Sequence, residues 1–134
     1  MLYFKKSMKQ ETQVWWHLAK EHFDNALFLY NGSRYSLAVY CCHQALEFIL
    51  KAAIVEFEEE VPPKIHNLDA LARATKIDFP PSWYEDLAEI TRHYWRVRYP
   101  DFRQYVYTSK EKIQPTIDKT KEVFIWILNK LNQH

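Results

Sequence analysis

One glycine, Gly32, in 134 residues is the first constraint on this chain. The hairpins and bulges of a β-rich domain need several residues at positive φ, so a single glycine excludes such a fold. It also excludes a glycine-rich phosphate loop. Cysteine is nearly as scarce: Cys41 and Cys42 are adjacent, and neighbouring side chains on a helix diverge too far for ordinary disulfide geometry. Unpaired thiols suit a reducing compartment. No excess of either charge is present, with 18 basic and 17 acidic residues and a net charge of +1. Bulk attraction to a polyanion is therefore excluded, and any nucleic-acid contact must come from a local patch. A long uninterrupted apolar run is missing too, because His43, Gln44, Glu47 and Lys51 break the stretch 37–57, so no membrane span is expected. The opening MLYFKKSMKQ has no apolar run followed by a small-residue cleavage site, so no signal peptide and a cytoplasmic location are expected.

What remains is a globular composition, 48% hydrophobic and 26% charged, of a size that suits a single domain over residues 1–134. Trp16, Ala19, Phe23, Ala26 and Tyr30 step by three and four, which predicts an amphipathic helix over about 10–31. Asn31-Gly32 then supplies a turn and Ser33 a cap for a second helix, about Ser33–Glu56, apolar on nearly every side and therefore central. Its polar exceptions, His43, Gln44, Glu47 and Lys51, form one stripe, and from periodicity alone that stripe reads as a solvent face rather than a groove or interface. A short helix is predicted over about Asn67–Thr75. Ser82-Trp83-Tyr84-Glu85 reads as a capping box opening a helix with Leu87, Ile90 and Tyr94, which Tyr99-Pro100 interrupts. The last helix carries Ile113, Ile117, Phe124, Leu128 and Leu131. Thr108 and Glu111 have capping-box spacing before it; if they cap it, Pro115 lies beyond the first turn and should kink the helix, and otherwise the helix starts a few residues later. The fold class is all-α: an up-and-down four-helix bundle with one additional short helix.

The strongest local anomaly is the segment 92–103, with four arginines against one aspartate, a local +3. Arg92, Arg96 and Arg98 suit phosphate, and aromatic neighbours such as Tyr99 offer stacking faces for a base. Glu85 and Glu89 lie on the same helical face, so a solvated ladder of ion pairs is the competing reading. The histidines do not make a metal site: His17 and His22 are five apart, and Cys41-Cys42-His43 is contiguous. No cofactor is expected.

Trp16, Ala19, Asp24 and Ala26, then Tyr35, Ala38 and the run His43-Gln44-Ala45-Leu46-Glu47-Phe48-Ile49-Leu50-Lys51-Ala52, followed in order by His66, Leu68, Leu71 and Arg98-Tyr99-Pro100-Asp101, resemble HEPN domains. The resemblance implies a five-helix bundle, commonly dimeric, associated with nucleotides or RNA. It also implies, for many prokaryotic members, a minimal nucleotidyltransferase partner in a toxin–antitoxin pair. HEPN ribonucleases carry an arginine and, after four to six intervening positions, a histidine. Arg92-His93 matches the opening of that motif, but the positions due for the histidine hold Val97, Arg98 and Tyr99.

Three readings follow. In the first the chain is a nucleotide- or RNA-associated HEPN module without the full ribonuclease motif. There Arg92, Arg96 and Arg98 hold phosphate, His93 and Tyr99 stack or hydrogen-bond, and Asp101 orients an arginine by pairing with Arg98 or Arg103. In the second it is a metal-independent endoribonuclease using Arg92 and His93. In the third it is a structural dimeric protein whose arginines serve an interface. The surplus of aromatics, five Trp, nine Tyr and eight Phe, favours a homodimer in each case.

Overall fold

The structure, a computed structural model, describes residues 2–3 and 8–134, with the side chain of Gln104 left aside; half of the stretch read for a signal peptide, residues 1 and 4–7, lies outside the described residues. Six helices follow in order: α1 (Gln10–Asn31), α2 (Tyr35–Glu58), α3 (Leu68–Ala74), α4 (Trp83–Arg96), α5 (Pro100–Tyr105) and α6 (Lys110–Gln133), and no strand occurs among the described residues. Helix α2, about 36 Å long at 1.5 Å per residue, packs against α1, α6, α3 and α4. It has the length and mean hydropathy of a membrane span. However, 83% of its most apolar window is buried inside the bundle, which marks the core helix of a packed domain.

The apolar stripe of α1 meets α2 through Trp16, Ala19, Phe23 and Ala26. Phe124 of α6 closes that layer, with its ring 4.2 Å from Phe23 and stacked on it. At the far end of α2, the buried carboxylate of Glu56 accepts from the Thr12 hydroxyl at 2.9 Å and the Lys9 backbone N–H at 3.3 Å. The C-terminal His134 lies 3.4 Å from the same carboxylate, so α1, α2 and α6 are tied there by one group. A second, smaller core lies around the N-terminal half of α2, built from Ala26, Tyr30, Ala38, Val39, Cys42, Val97, Tyr107, Ile113 and Ile117. Burial pushes the Cys42 thiol up to about 12, with a hydrogen bond to Thr120 opposing, so this cysteine is inert core filling.

Four local expectations are corrected. Ser33 does not cap α2. It is the left-handed residue (φ 62°) that ends α1, with Arg34 N–H donating to Leu29 C=O at 2.8 Å and Ser33 N–H to Tyr30 C=O at 3.1 Å. These two bonds define a Schellman termination, in which the left-handed position usually goes to glycine. Gly32 sits one residue too early for that role, at φ −87°. The Ser82 capping box is absent because Ser82 is already helical (φ −68°, ψ −19°), and an N-cap needs extended backbone. The cap of α6 falls one residue later than Thr108: Ser109, extended, accepts from Lys112 N–H at 3.3 Å, and Pro115 lies inside the helix. Finally, Tyr99-Pro100 does more than interrupt. Tyr99 is extended, as a residue before proline must be, and Pro100 occupies the first position of the added helix α5.

The Schellman junction yields the first prediction. Ser33→Gly relieves a left-handed serine and is expected to raise stability by up to about 1 kcal/mol. Gly32→Ala is expected to be neutral or stabilising by roughly 0.4–1 kcal/mol, because an added Cβ would meet the Phe28 and Leu29 carbonyl oxygens at 3.4 and 3.7 Å, in van der Waals contact. Urea unfolding of the two variants checks both signs, and a destabilised Ser33→Gly would refute this account of the junction.

Candidate functional site

The polar stripe of α2 is not a solvent face. His43, Glu47 and Lys51 are 0%, 3% and 6% exposed, because the segment leading into α3 folds across them. The Glu47 carboxylate receives Lys51 Nζ at 2.9 Å on one oxygen and His66 Nδ1 at 2.9 Å on the other. His43 Nε2 donates to the His66 carbonyl at 2.8 Å, and its Nδ1 lies 3.1 Å from the Gln44 amide. Tyr94 of α4 stacks on the His43 ring, with centroids 4.0 Å apart. Thr91, also on α4, accepts the first N–H of α3 from Leu68 at 3.0 Å. Helices α2, α3 and α4 are thus joined by polar contacts as well as by apolar ones.

The arginines of segment 92–103 divide into two sets. Arg92 binds Glu85 and Glu89, both at 2.7 Å, and these carboxylates raise its pKa. Arg96 binds Glu89 at 3.2 Å. Burial alone would raise the pKa of Glu89, but Arg92, His93 and Arg96 together hold it below the usual carboxylate range. These two arginines form the ion-pair ladder that Glu85 and Glu89 foreshadow. Arg98 and Arg103 have no carboxylate partner among the described residues. The Arg98 guanidinium lies 4.1 Å from the Tyr94 ring centroid and 5.1 Å from that of Trp95, and Arg103 donates twice to Ser36 Oγ, at 2.8 and 3.1 Å.

Arg98 and Arg103 line a cleft of about 220 Å³ with Ser36, Leu37, Tyr40 and Val97. The first turn of α2 forms one wall. Its leading N–H groups have no intrahelical partner, no side chain caps them, and that turn holds no acidic residue. With Ser33 committed to ending α1, that helix terminus faces the cleft uncapped. Trp95, Tyr99 and Phe102 are exposed on the same 92–103 segment. Of the other predicted site residues, Tyr99 is the exposed N-cap of α5. Asp101 pairs with neither Arg98 nor Arg103 among the described residues; it sits in the first turn of α5, where the helix N-terminus favours a carboxylate.

His93 faces elsewhere. It lines a groove of about 310 Å³ between α4 and α6, with Asp86, Glu89, Lys112, Thr116 and Lys119. Its Nδ1 is 2.8 Å from the Tyr107 hydroxyl, whose pKa burial pushes up to about 12. The other ring nitrogen, Nε2, lies 3.6 Å from Glu89. Arg103 and Ser36 were absent from the sequence-based site, and only the fold brings α5 onto the start of α2. A further cavity, about 400 Å³, lies at the other end of α2. Glu11, Glu59 and Glu60 give it the wrong sign for phosphate.

The buried histidine sets a pH dependence. Burial lowers the pKa of His43 below its ordinary 6.5, against the opposing pull of the His66 carbonyl, Gln44 and Glu47, and burial lowers that of His93 as well. Below the ordinary imidazole pKa the unfolded chain takes up protons that these rings refuse, so stability falls as pH falls. The melting temperature is expected to be level above about pH 7 and to decline from about pH 6.5 downward. His43→Gln should lower it at neutral pH but flatten the decline. A melting temperature constant down to about pH 5.5 would contradict this assignment.

The HEPN domain model matches residues 12–131. Among solved structures, TT1696 from Thermus thermophilus superposes with a TM-score of 0.79 at 20% identity, covering 92% of this chain and 100% of that one. ST0689, described as an archaeal HEPN homologue, superposes with a TM-score of 0.71 at 18% identity, covering 92% and 99%. None of the curated proteins compared with it matches the chain in sequence. The bundle, its order of helices and the match over nearly all of α1 to α6 agree: the chain belongs to the HEPN domain family.

Proposed function

We propose that this HEPN protein is a nucleotide- or RNA-associated module that holds phosphate in the Arg98–Arg103 cleft and has lost efficient ribonuclease chemistry. The observation that carries the reading is the pair of guanidiniums without carboxylate partners, facing the uncapped N-terminus of α2. Both features favour an anion, and the planar forks suit phosphate oxygens. Trp95, Tyr99 and Phe102 add exposed ring faces on which bases can stack. Arg92 and Arg96 contribute less, because each would have to leave Glu89 to reach a phosphate.

The same reading takes the chain to work as a homodimer in a reducing cytoplasm, with a minimal nucleotidyltransferase as partner in a toxin–antitoxin-type pair. Family membership supports the partnership, and the exposed aromatics around α5 and the two free, buried cysteines support the rest. The ribonuclease alternative finds no support in the geometry. Arg92 is held on a solvent ladder, while His93 turns into the α4–α6 groove against Tyr107.

The test is binding of a fluorescein-labelled, mixed-sequence single-stranded RNA. Arg98→Ala with Arg103→Ala is expected to weaken binding at least about tenfold and to reduce the salt dependence by roughly 0.7 for each phosphate no longer held. Arg92→Ala should change it little. Cleavage of the same RNA should be slow or undetectable and indifferent to His93→Ala. Robust cleavage abolished by His93→Ala or Arg92→Ala would establish the enzyme instead.

A further inference from the structure

We propose that Tyr94 is a positioning residue for the phosphate-binding arginine, fixing the Arg98 guanidinium at the cleft through a stack that begins at His43 in the core. The inference rests on the cleft reading above and adds what sets the affinity of that site. Tyr94 and Arg98 are one helical turn apart. Tyr94 is 5% exposed, while Arg98 is on the surface. The Tyr94 ring is nearly parallel to His43, at 4.0 Å and 23°, and to Tyr40, at 5.7 Å and 20°. His43 cannot turn away, because its Nε2 is bonded to the His66 carbonyl and its Nδ1 faces Gln44. His66 in turn is held by Glu47. The column from the Glu47 cluster through His43 and Tyr94 therefore ends under the guanidinium, 4.1 Å from the ring.

An exposed arginine usually samples many rotamers and must be ordered when a phosphate binds. A cation held over an aromatic face is already placed, so less ordering remains for the binding step. A guanidinium carries five N–H donors, so its hydrogen bonds to the Tyr94 and Tyr40 hydroxyls still leave others for oxygen acceptors. Neither Arg92 nor Arg96 has this support. Arg92 rests on carboxylates alone, and Arg96 lies 5.8 Å from the Phe102 ring, itself on the surface.

A double-mutant cycle separates positioning from general destabilisation, with the labelled single-stranded RNA as probe. Tyr94→Leu is expected to weaken binding roughly fivefold when Arg98 is present, about the value of a partly exposed cation–π contact. In the Arg98→Ala background it should cause no further loss. Tyr94→Phe, which keeps the ring, should retain most of the affinity. No loss with Tyr94→Leu, or the same loss with and without Arg98, would overturn the proposal. If Tyr94→Leu fails to fold, the wild-type NMR spectrum decides: the side-chain protons of Arg98 should be shifted upfield by the Tyr94 ring current, and positions of a free arginine would overturn it. Arg98→Ala that leaves binding unchanged would instead remove the cleft reading itself.

Discussion

A carboxylate at the middle of the central helix, Glu47, constrains much of the rest. A buried carboxylate is tolerated only when both oxygens find cationic or hydrogen-bonding partners, and leaving one such partner out destabilises by roughly 3–5 kcal/mol. Here Lys51 serves one oxygen from the same helix, and His66 serves the other from the segment before α3. The second contact fixes the path of residues 59–67, for His66 cannot reach Glu47 unless that segment crosses α2. With His66 in place, its carbonyl fixes His43, and His43 supplies the flat surface on which Tyr94 of α4 rests. Apolar burial drives α2 into the interior; the ionic cluster selects how α3 and α4 lie across it.

The cleft follows from a second constraint, at the other end of the hairpin. A helix that ends in a Schellman turn consumes the residue that would otherwise cap its successor when the connection is as short as 32–34. Ser33 can either terminate α1 or cap α2, and its left-handed backbone terminates α1. Helix α2 therefore begins without a side-chain cap, and the orphan N–H groups are left for another partner. The α4–α5 corner places Arg98 and Arg103 there. Pro100 fixes the direction in which the chain leaves α4 and starts α5, which lets Arg103 reach Ser36.

Much of this was legible in the sequence. Spacings of three and four gave α1 with the bounds the structure has, and near-complete apolar coverage marked α2 as central. Scarcity of glycine excluded strands for a reason that held throughout the described residues. What was not legible depends on contacts between distant segments. The stripe from His43 to Lys51 has the same periodicity whether it meets water or His66, so periodicity cannot decide its burial. Ser33 has the right type for a cap, but its actual role depends on a backbone geometry that residue type alone does not specify. Helix α5 is six residues, too short to show a period. Arg103 looked like one more charge of the segment, because Ser36 lies 67 positions away in sequence.

The missing histidine can be understood from the same geometry. Of the three positions where the ribonuclease motif would place it, Val97 caps α4 and is buried in the smaller core, at 6% exposure. Tyr99 is the extended residue that proline requires before α5. Val97 and the middle position both line the cleft, and of the two only the middle one is exposed; it holds Arg98 on the Tyr94 ring. A histidine there would offer a proton acceptor, and general-base catalysis is worth roughly 10²–10⁴-fold. Arginine remains protonated at any physiological pH and cannot serve as that base, yet it binds phosphate with a fixed charge and up to five donors. At this one position, then, the chain carries a permanent cation where the motif's histidine would be a group that can exchange a proton, and the Tyr94 ring lies beneath that cation.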